Sequence, residues 1–283
     1  MALPADLKPL QPLFASQRGR LLPLSPRLSR LYGTCRMPST GSRPHIFSNF
    51  VSTMDGVVSL QSKGHAAGGD ISGFSIQDRM VMGLLRAVAD VVIVGSGTLA
   101  ADRRAVWTPE DICPPLASDY RKLQRAMSKN LALLNVVVTA SGAIDLRSPV
   151  FTSRDVRAMI VTTPAGERRL AKQRLPDSLE IRAVGRTAGE IGPRAIIDEV
   201  MRVQSGKRIL VEGGPRLLGS FYGEGLIDEQ FLTLAPQIAG RIADDGRLSL
   251  VMGETFAPRS PLWGTLTDAR RGERLLFLRY SFP

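Results

Sequence analysis

Two short glycine-bearing segments carry the residues best suited to chemistry in this 283-residue chain. Gly95-Ser96-Gly97-Thr98 follows the apolar run Val91–Val94, and Glu212-Gly213-Gly214-Pro215 follows Ile209–Val211. Glycines at the carboxyl end of a strand free backbone amides and let the main chain approach a phosphate closely. A helix starting there adds its partial positive charge. Ser96 and Thr98 contribute hydroxyls, and Pro215 suits the first turn of a helix. Glu212, just before the second turn, either accepts hydrogen bonds from a polar ligand in the shared cleft or caps local amides. Asp55, in Ser52-Thr53-Met54-Asp55-Gly56, sits in a hairpin signal and is also a candidate functional carboxylate.

The letters from Val91 to Asp102 spell most of a dinucleotide-binding fingerprint, but the context of that fingerprint is missing. A Rossmann turn needs a long helix, a second strand and an acidic residue about twenty positions on. Ala101-Asp102-Arg103-Arg104-Ala105-Val106-Trp107-Thr108-Pro109 supplies none of these. The glycines remain as a phosphate-approaching turn at the carboxyl end of a parallel strand.

The elements that must position these turns alternate along the chain from Pro44. Strands are expected at Ile46–Thr53, Val57–Leu60, Asp90–Val94, Asn135–Thr139, Ala158–Thr162, Leu179–Val184, Arg208–Val211 and Asp228–Leu234. Apolar residues at Ile76, Met80, Val81, Leu84, Leu85 and Val88 predict a helix over Ser75–Ala89, with further helices near Ala165–Gln173, Pro193–Val203 and Gly214–Phe221. Gln61–Gly73 reads as a glycine-rich loop, and Trp107–Asn130 as an inserted loop and helix. The last fifty residues add strands near Leu262–Ala269 and Arg274–Phe282. Alternating βα units with a strand-rich tail predict a single three-layer α/β domain over residues 43–283, its central sheet mixed and mainly parallel.

Composition narrows the function class. Lys8, Arg18, Arg20, Arg27, Arg30, Arg36 and Arg43 stand against Asp6 alone, so residues 1–45 hold +6 of the formal +11 charge. Residues 1–42 are therefore expected to form a basic, flexible arm. The mildly basic remainder suits a phosphorylated small molecule, and 6% aromatic residues without basic-aromatic interleaving argue against nucleic acid. No apolar run reaches membrane-span length. Cys35 and Cys113 share no spacing signature, and two histidines, His45 and His65, give no metal-ligand set, so no metal is expected. A reducing, cytoplasmic setting fits. Both histidines read as loop residues rather than catalysts.

Arg43-Pro44, Ser52–Gly56, Ile71-Ser72-Gly73, Leu85-Arg86-Ala87, Asp90–Asp102, Val211–Leu218 and Leu226–Pro236 together resemble the reductase domain of the riboflavin-biosynthesis deaminase-reductases, a branch of the dihydrofolate-reductase-like fold. The zinc deaminase partner domain is missing, since no His-x-Glu with Pro-Cys-x-x-Cys occurs. The resemblance implies NADPH as hydride donor and a ribosylamino-pyrimidine 5′-phosphate as acceptor, its sugar reduced to the ribityl form. It further implies cofactor contacts from Thr98, Asp102 and Ser141, and a phosphate-binding loop and helix start formed by Gly214, Pro215, Arg216, Leu217, Leu218, Gly219 and Ser220. Ser52, or its neighbour Val51, passes the nicotinamide. Arg86 holds the substrate phosphate, Glu212 the substrate, and Val106 makes an apolar substrate contact. The accompanying proton comes from water, Asp55 or Glu212.

A homodimer is also implied, and the apolar Phe231–Leu234 strand would be a hazard as an open edge. The chain departs from the family pattern at Pro109, where a substrate arginine is expected; Arg103 and Arg104 are the nearby substitutes. Two alternatives stay open: reduction of another heterocycle such as dihydrofolate or a dihydropterin, and a non-catalytic nucleotide- or nucleic-acid-binding protein.

Overall fold

The structure, a computed structural model, describes residues 7–127, 129, 132–153, 156–176, 178–185, 191–242 and 245–283. Strands β1 (Gln11–Ala15) and β2 (Arg20–Leu21), helix α1 (Pro26–Tyr32) and strand β3 (Arg36–Met37) come first. β4 (His45–Thr53), β5 (Val57–Ser59), α2 (Gly69–Ser72), α3 (Ile76–Val88), β6 (Val91–Gly95) and α4 (Ser96–Ala101) build the first half of the core. The insertion folds as α5 (Pro109–Ile112), a 3-10 turn at Pro114–Leu116 and α6 (Ala117–Ala126). Next come β7 (Leu134–Thr139), α7 (Pro149–Thr152), β8 (Arg157–Thr162), α8 (Pro164–Leu170), β9 (Glu180–Ala183) and α9 (Pro193–Val203). β10 (Arg208–Gly213), α10 (Pro215–Gly223), β11 (Glu229–Ala235), β12 (Leu248–Ser249), β13 (Thr265–Arg271) and β14 (Leu276–Ser281) complete the chain.

Ten strands form one sheet in the order β1-β13-β14-β11-β4-β10-β6-β7-β8-β9. All pairings from β11 through β9 are parallel, and β1, β13 and β14 are joined antiparallel at the other flank. Side chains alternate between faces along each strand, so Phe47, Val92, Val94 and Leu210 pack with α3 while Ile46, Val91, Ile93 and Val211 pack with α9 and α10. The result is helix–sheet–helix, the three-layer α/β architecture with a mixed, mainly parallel sheet expected from sequence. No helix among the described residues is long and apolar enough to cross a membrane.

Two expectations are corrected here. Residues 7–42 are not a free arm: β1 pairs with β13, and Leu7, Leu10, Leu22, Leu28, Leu31 and Tyr32 are buried in the α3-side core. Arg270 latches this segment, its guanidinium donating to the carbonyls of Tyr32 and Thr34 (2.8 Å to Thr34) while paired with Asp268 at 2.6 Å. The apolar strand β11 is interior, between β4 and β14, so it presents no edge for self-association. Nor does Glu229 on that strand face water; with His45 and Arg279 it forms a buried cluster at the opposite end of the strands from the glycine turns.

Candidate active site

The two glycine turns meet. β4, β10 and β6 are adjacent and parallel, so the turns after β10 and β6 leave the same sheet edge side by side. A Cβ on Gly213 would lie 2.4 Å from Thr98 Oγ1, and one on Gly95 3.4 Å from the Gly214 amide nitrogen. Only glycine lets the two loops approach this closely, and the absent side chains leave a backbone-lined cradle. Gly214 is the N-cap of α10 and supplies no side-chain hydrogen bond, so the first-turn amides of that nine-residue helix have no cap. Gly97 has open space around its Cα.

Thr98 and Asp102 lie one turn apart on and after α4, the Asp102 amide donating to the Thr98 carbonyl at 3.1 Å. Asp102 is exposed and accepts from the Arg104 amide at 3.3 Å. Ser141 follows β7, two parallel strands from β10; its Oγ accepts from the Ala143 amide at 3.2 Å. Next to it, Gly142 has a positive φ of 64° and packs against the Gly166 carbonyl, a contact that excludes a side chain. Ser52 is 5% exposed and donates to the Thr53 carbonyl at 2.9 Å, so its hydroxyl is turned into the protein. Val51, half-buried on the opposite face of β4, packs beneath Gly68, where a Cβ would lie 2.8 Å from its Cγ1.

On the α3 side of the sheet, the strand alternation that buries Val211 against α10 turns Glu212 the other way, onto α3. There Glu212 Oε2 receives both Nε and Nη2 of Arg86, at 2.9 and 2.8 Å. The two side chains are 2% and 4% exposed, and Arg86 Nη1 also donates to the Thr108 carbonyl at 3.3 Å. Glu212 Oε1 is buried without a partner. The guanidinium expected to meet a substrate phosphate is thus engaged within the protein, and a carboxylate oxygen is what this pair offers to a ligand. Val106 lies nearby, half-buried, its carbonyl accepting from the Thr108 amide at 2.7 Å.

The departure at Pro109 has a local cause. Thr108 caps α5 by accepting from the Asp111 amide at 3.2 Å, and Pro109 fills the first helical position. Arg103 and Arg104 are exposed, and the charge of Arg103 helps hold the Asp145 pKa down.

Asp55 differs from its expected acid role. Its carboxylate accepts from Thr53 Oγ1 at 2.6 Å and from the Ala239 and Gly240 amides at 3.1 and 2.7 Å. These bonds favour the ionised form and hold its pKa down to about 2, so it binds the β4–β5 turn to the loop after β11 and has no proton to donate near neutrality. A carboxyl group that the sequence reading passed over, Asp78 on α3, behaves oppositely. Burial pushes its pKa up and the Glu212 charge adds to this, against hydrogen bonds from Thr233 and Ser72. In sequence it reads as an acidic residue in the first turn of α3, its amide capped by Ser75 Oγ at 3.4 Å.

The donor set fits a dinucleotide with phosphates on the cradle of Gly95, Gly97, Gly213 and Gly214. No group of three His, Cys, Asp or Glu among the described residues could hold a metal ion.

Comparison with known proteins agrees with this reading of the fold. The RibD C-terminal domain model matches residues 44–256. A 2,5-diamino-6-ribosylamino-4(3H)-pyrimidinone 5′-phosphate reductase from Archaeoglobus fulgidus is 24% identical over 198 residues, 70% of this chain and 83% of that protein. A pyrimidine reductase-like protein from Corynebacterium diphtheriae superposes with a TM-score of 0.64 at 18% identity, covering 85% of this chain and 92% of that one. A diaminohydroxyphosphoribosylaminopyrimidine deaminase/5-amino-6-(5-phosphoribosylamino)uracil reductase from Thermotoga maritima gives 0.61 at 15% identity over 86% of this chain, and this chain spans 57% of its length. Reductases of this kind use a nicotinamide cofactor. With three quarters of its length matched, the chain belongs to the RibD C-terminal domain family.

Proposed function

We propose that the chain is an NADPH-dependent pyrimidine reductase of riboflavin-biosynthesis type, reducing the ribosyl group of 5-amino-6-(5-phosphoribosylamino)uracil to ribityl. The observation that carries this reading is the junction of the two glycine turns beside a buried carboxylate with one unpartnered oxygen. Gly95, Gly97, Gly213, Gly214 and the first-turn amides of α10 hold the cofactor phosphates, with Thr98, Asp102 and Ser141 along its length. The cofactor supplies a hydride to the sugar carbon attached to nitrogen. Glu212 Oε1 accepts an N–H of the pyrimidine, a bond that satisfies this buried, unpartnered oxygen, and Arg86 fixes the carboxylate that makes it. Val106 lines the apolar side of the acceptor. The protein's part is orientation, charge and exclusion of water.

The relatives act on pyrimidines that differ in the ring substituent, so three acceptors belong in the assay: the aminouracil phosphate, the diaminopyrimidinone phosphate and dihydrofolate. NADPH oxidation with either ribosylamino phosphate, giving a ribityl product by mass, is the expected result; turnover of dihydrofolate alone refutes the reading. Dihydropterin or dihydrofolate reduction stays as the second reading because Pro109 at a helix start leaves no arginine where the family pattern has one. NADPH titration of wild type and Gly214→Val tests the cradle, with binding expected only in the wild type. A cytoplasmic homodimer completes the proposal; the exposed Leu13 and Phe14 on edge strand β1 favour self-association there, and light scattering measures it.

A further inference from the structure

His65 and Asp70 form a pair that none of the site residues above requires. His65 Nδ1 and Asp70 Oδ1 are 2.8 Å apart. The histidine side chain is 61% exposed, and that of Asp70 is 17%. The pair belongs to the loop Gln61–Gly73, which is tied down rather than free. Ser59 Oγ donates to the Ala66 carbonyl at 2.7 Å, the His65 amide donates to the Ser62 carbonyl at 2.9 Å, and α2 packs against β4 and β11. Gly68 presses onto the end of β4 so closely that a Cβ there would lie 2.8 Å from Val51 Cγ1. Two residues, Ala66 and Ala67, lie between His65 and Gly68, which keeps the His65 Cα within about 11 Å of the Gly68 Cα. His65 therefore belongs to the loop over the carboxyl end of β4, on the face of the sheet that Val51 and Glu212 share.

A carboxylate only accepts hydrogen bonds, so Asp70 fixes the proton on Nδ1 and orients the ring with Nε2 outward. Reduction of a ribosylamine needs a proton at a defined atom. The C1′–O4′ bond of the sugar must break with its electron pair leaving on O4′, and the C1′=N iminium that results then takes the hydride. We infer that His65, oriented by Asp70, is the general acid that delivers the proton to O4′ as the sugar ring opens. The cationic imidazole gives its Nε2 proton to O4′ and becomes neutral. C1′ receives the hydride of the reduced nicotinamide, so substrate, hydride and one proton give the ribitylamine. Solvent then reprotonates the imidazole. This assignment rests on the reductase reading above.

The test uses the full chain with NADPH and the ribosylamino-pyrimidine phosphate. His65→Ala is expected to lower kcat by about 10²-fold or more, to leave the NADPH Kd within twofold, and to recover turnover when imidazole is added. Asp70→Asn is expected to lower kcat less and to change the His65 tautomer, read from ¹⁵N imidazole shifts without any turnover. His65→Gln, with an unchanged thermal midpoint, guards against a folding defect. Turnover by His65→Ala within twofold of wild type overturns the inference and leaves the reductase reading standing, as does a loss that imidazole does not rescue. A wild type that reduces neither ribosylamino phosphate overturns both.

Discussion

Arg86 and Glu212 make a double-mutant cycle decisive. Both Nε and Nη2 of the guanidinium meet one carboxylate oxygen, at 2.9 and 2.8 Å, and both side chains are almost completely withdrawn from water. Arg86→Met leaves a desolvated carboxylate with neither oxygen satisfied, which costs about 3–5 kcal/mol of stability. Glu212→Leu leaves a buried guanidinium held by the Thr108 carbonyl alone, a loss of similar size. The double replacement removes both charges at roughly constant volume; what it forfeits is the Thr108 hydrogen bond, about 1 kcal/mol. The singles should therefore lower the thermal midpoint by roughly 6–20 °C and the double by about 4 °C or less. Urea unfolding of the four proteins measures the coupling. If the double mutant loses the sum of the singles, the two residues do not stabilise one another, and the account of Glu212 as an oriented acceptor falls with it.

Three further outcomes are expected. Gly213→Ala drives a methyl group to 2.4 Å from Thr98 Oγ1 and should weaken NADPH binding about tenfold, or 1.4 kcal/mol; calorimetry giving the wild-type Kd would show that the two turns are not one wall. Burial alone would raise the Glu229 pKa, but the His45 hydrogen bond and the Arg279 charge outweigh it and lower it. A depressed carboxylate stabilises fully above its unfolded value of about 4.3 and loses that contribution as pH falls through the folded value. Urea midpoints should accordingly drop below about pH 4 in wild type and more shallowly in Glu229→Gln, and parallel pH profiles would contradict this. Arg270→Met frees the carbonyls of Tyr32 and Thr34 and should expose residues 15–25 to limited proteolysis while the NADPH Kd holds; an unchanged digestion pattern would show that the latch does not secure this segment.

Much of the fold was legible because its signals are local. Short β-branched runs gave the parallel strands, and the spacing from Ile76 to Val88 gave α3 to within one residue at each end. The two glycine turns were legible as a pair for the same reason: each combines strand, glycine and helix start within a few residues. What escaped depends on partners distant in sequence. Leu7, Leu10 and Leu22 have no periodicity of their own and acquire meaning only in the core on the α3 side. That Arg86 would meet a carboxylate 126 positions away, instead of pointing outward, follows from the alternation of β10, which turns Glu212 toward α3. Asp78 was hidden as an ordinary acidic residue in the first turn of a helix, and His65 behind the glycine-rich composition of its loop.

The pairing of β1 with β13 bears on how the chain is made. About 250 residues lie between the two strands, so at 5–20 residues per second roughly 13–50 s separate their synthesis. Throughout that interval the leucines ahead of β4 lack part of their covering, and the parallel strands from β4 to β10 can assemble without them. Long-range pairings of this kind are slow to form and leave apolar surface open to association meanwhile. The antiparallel flank, at the edge farthest from β9, thus cannot close until β13 has been made.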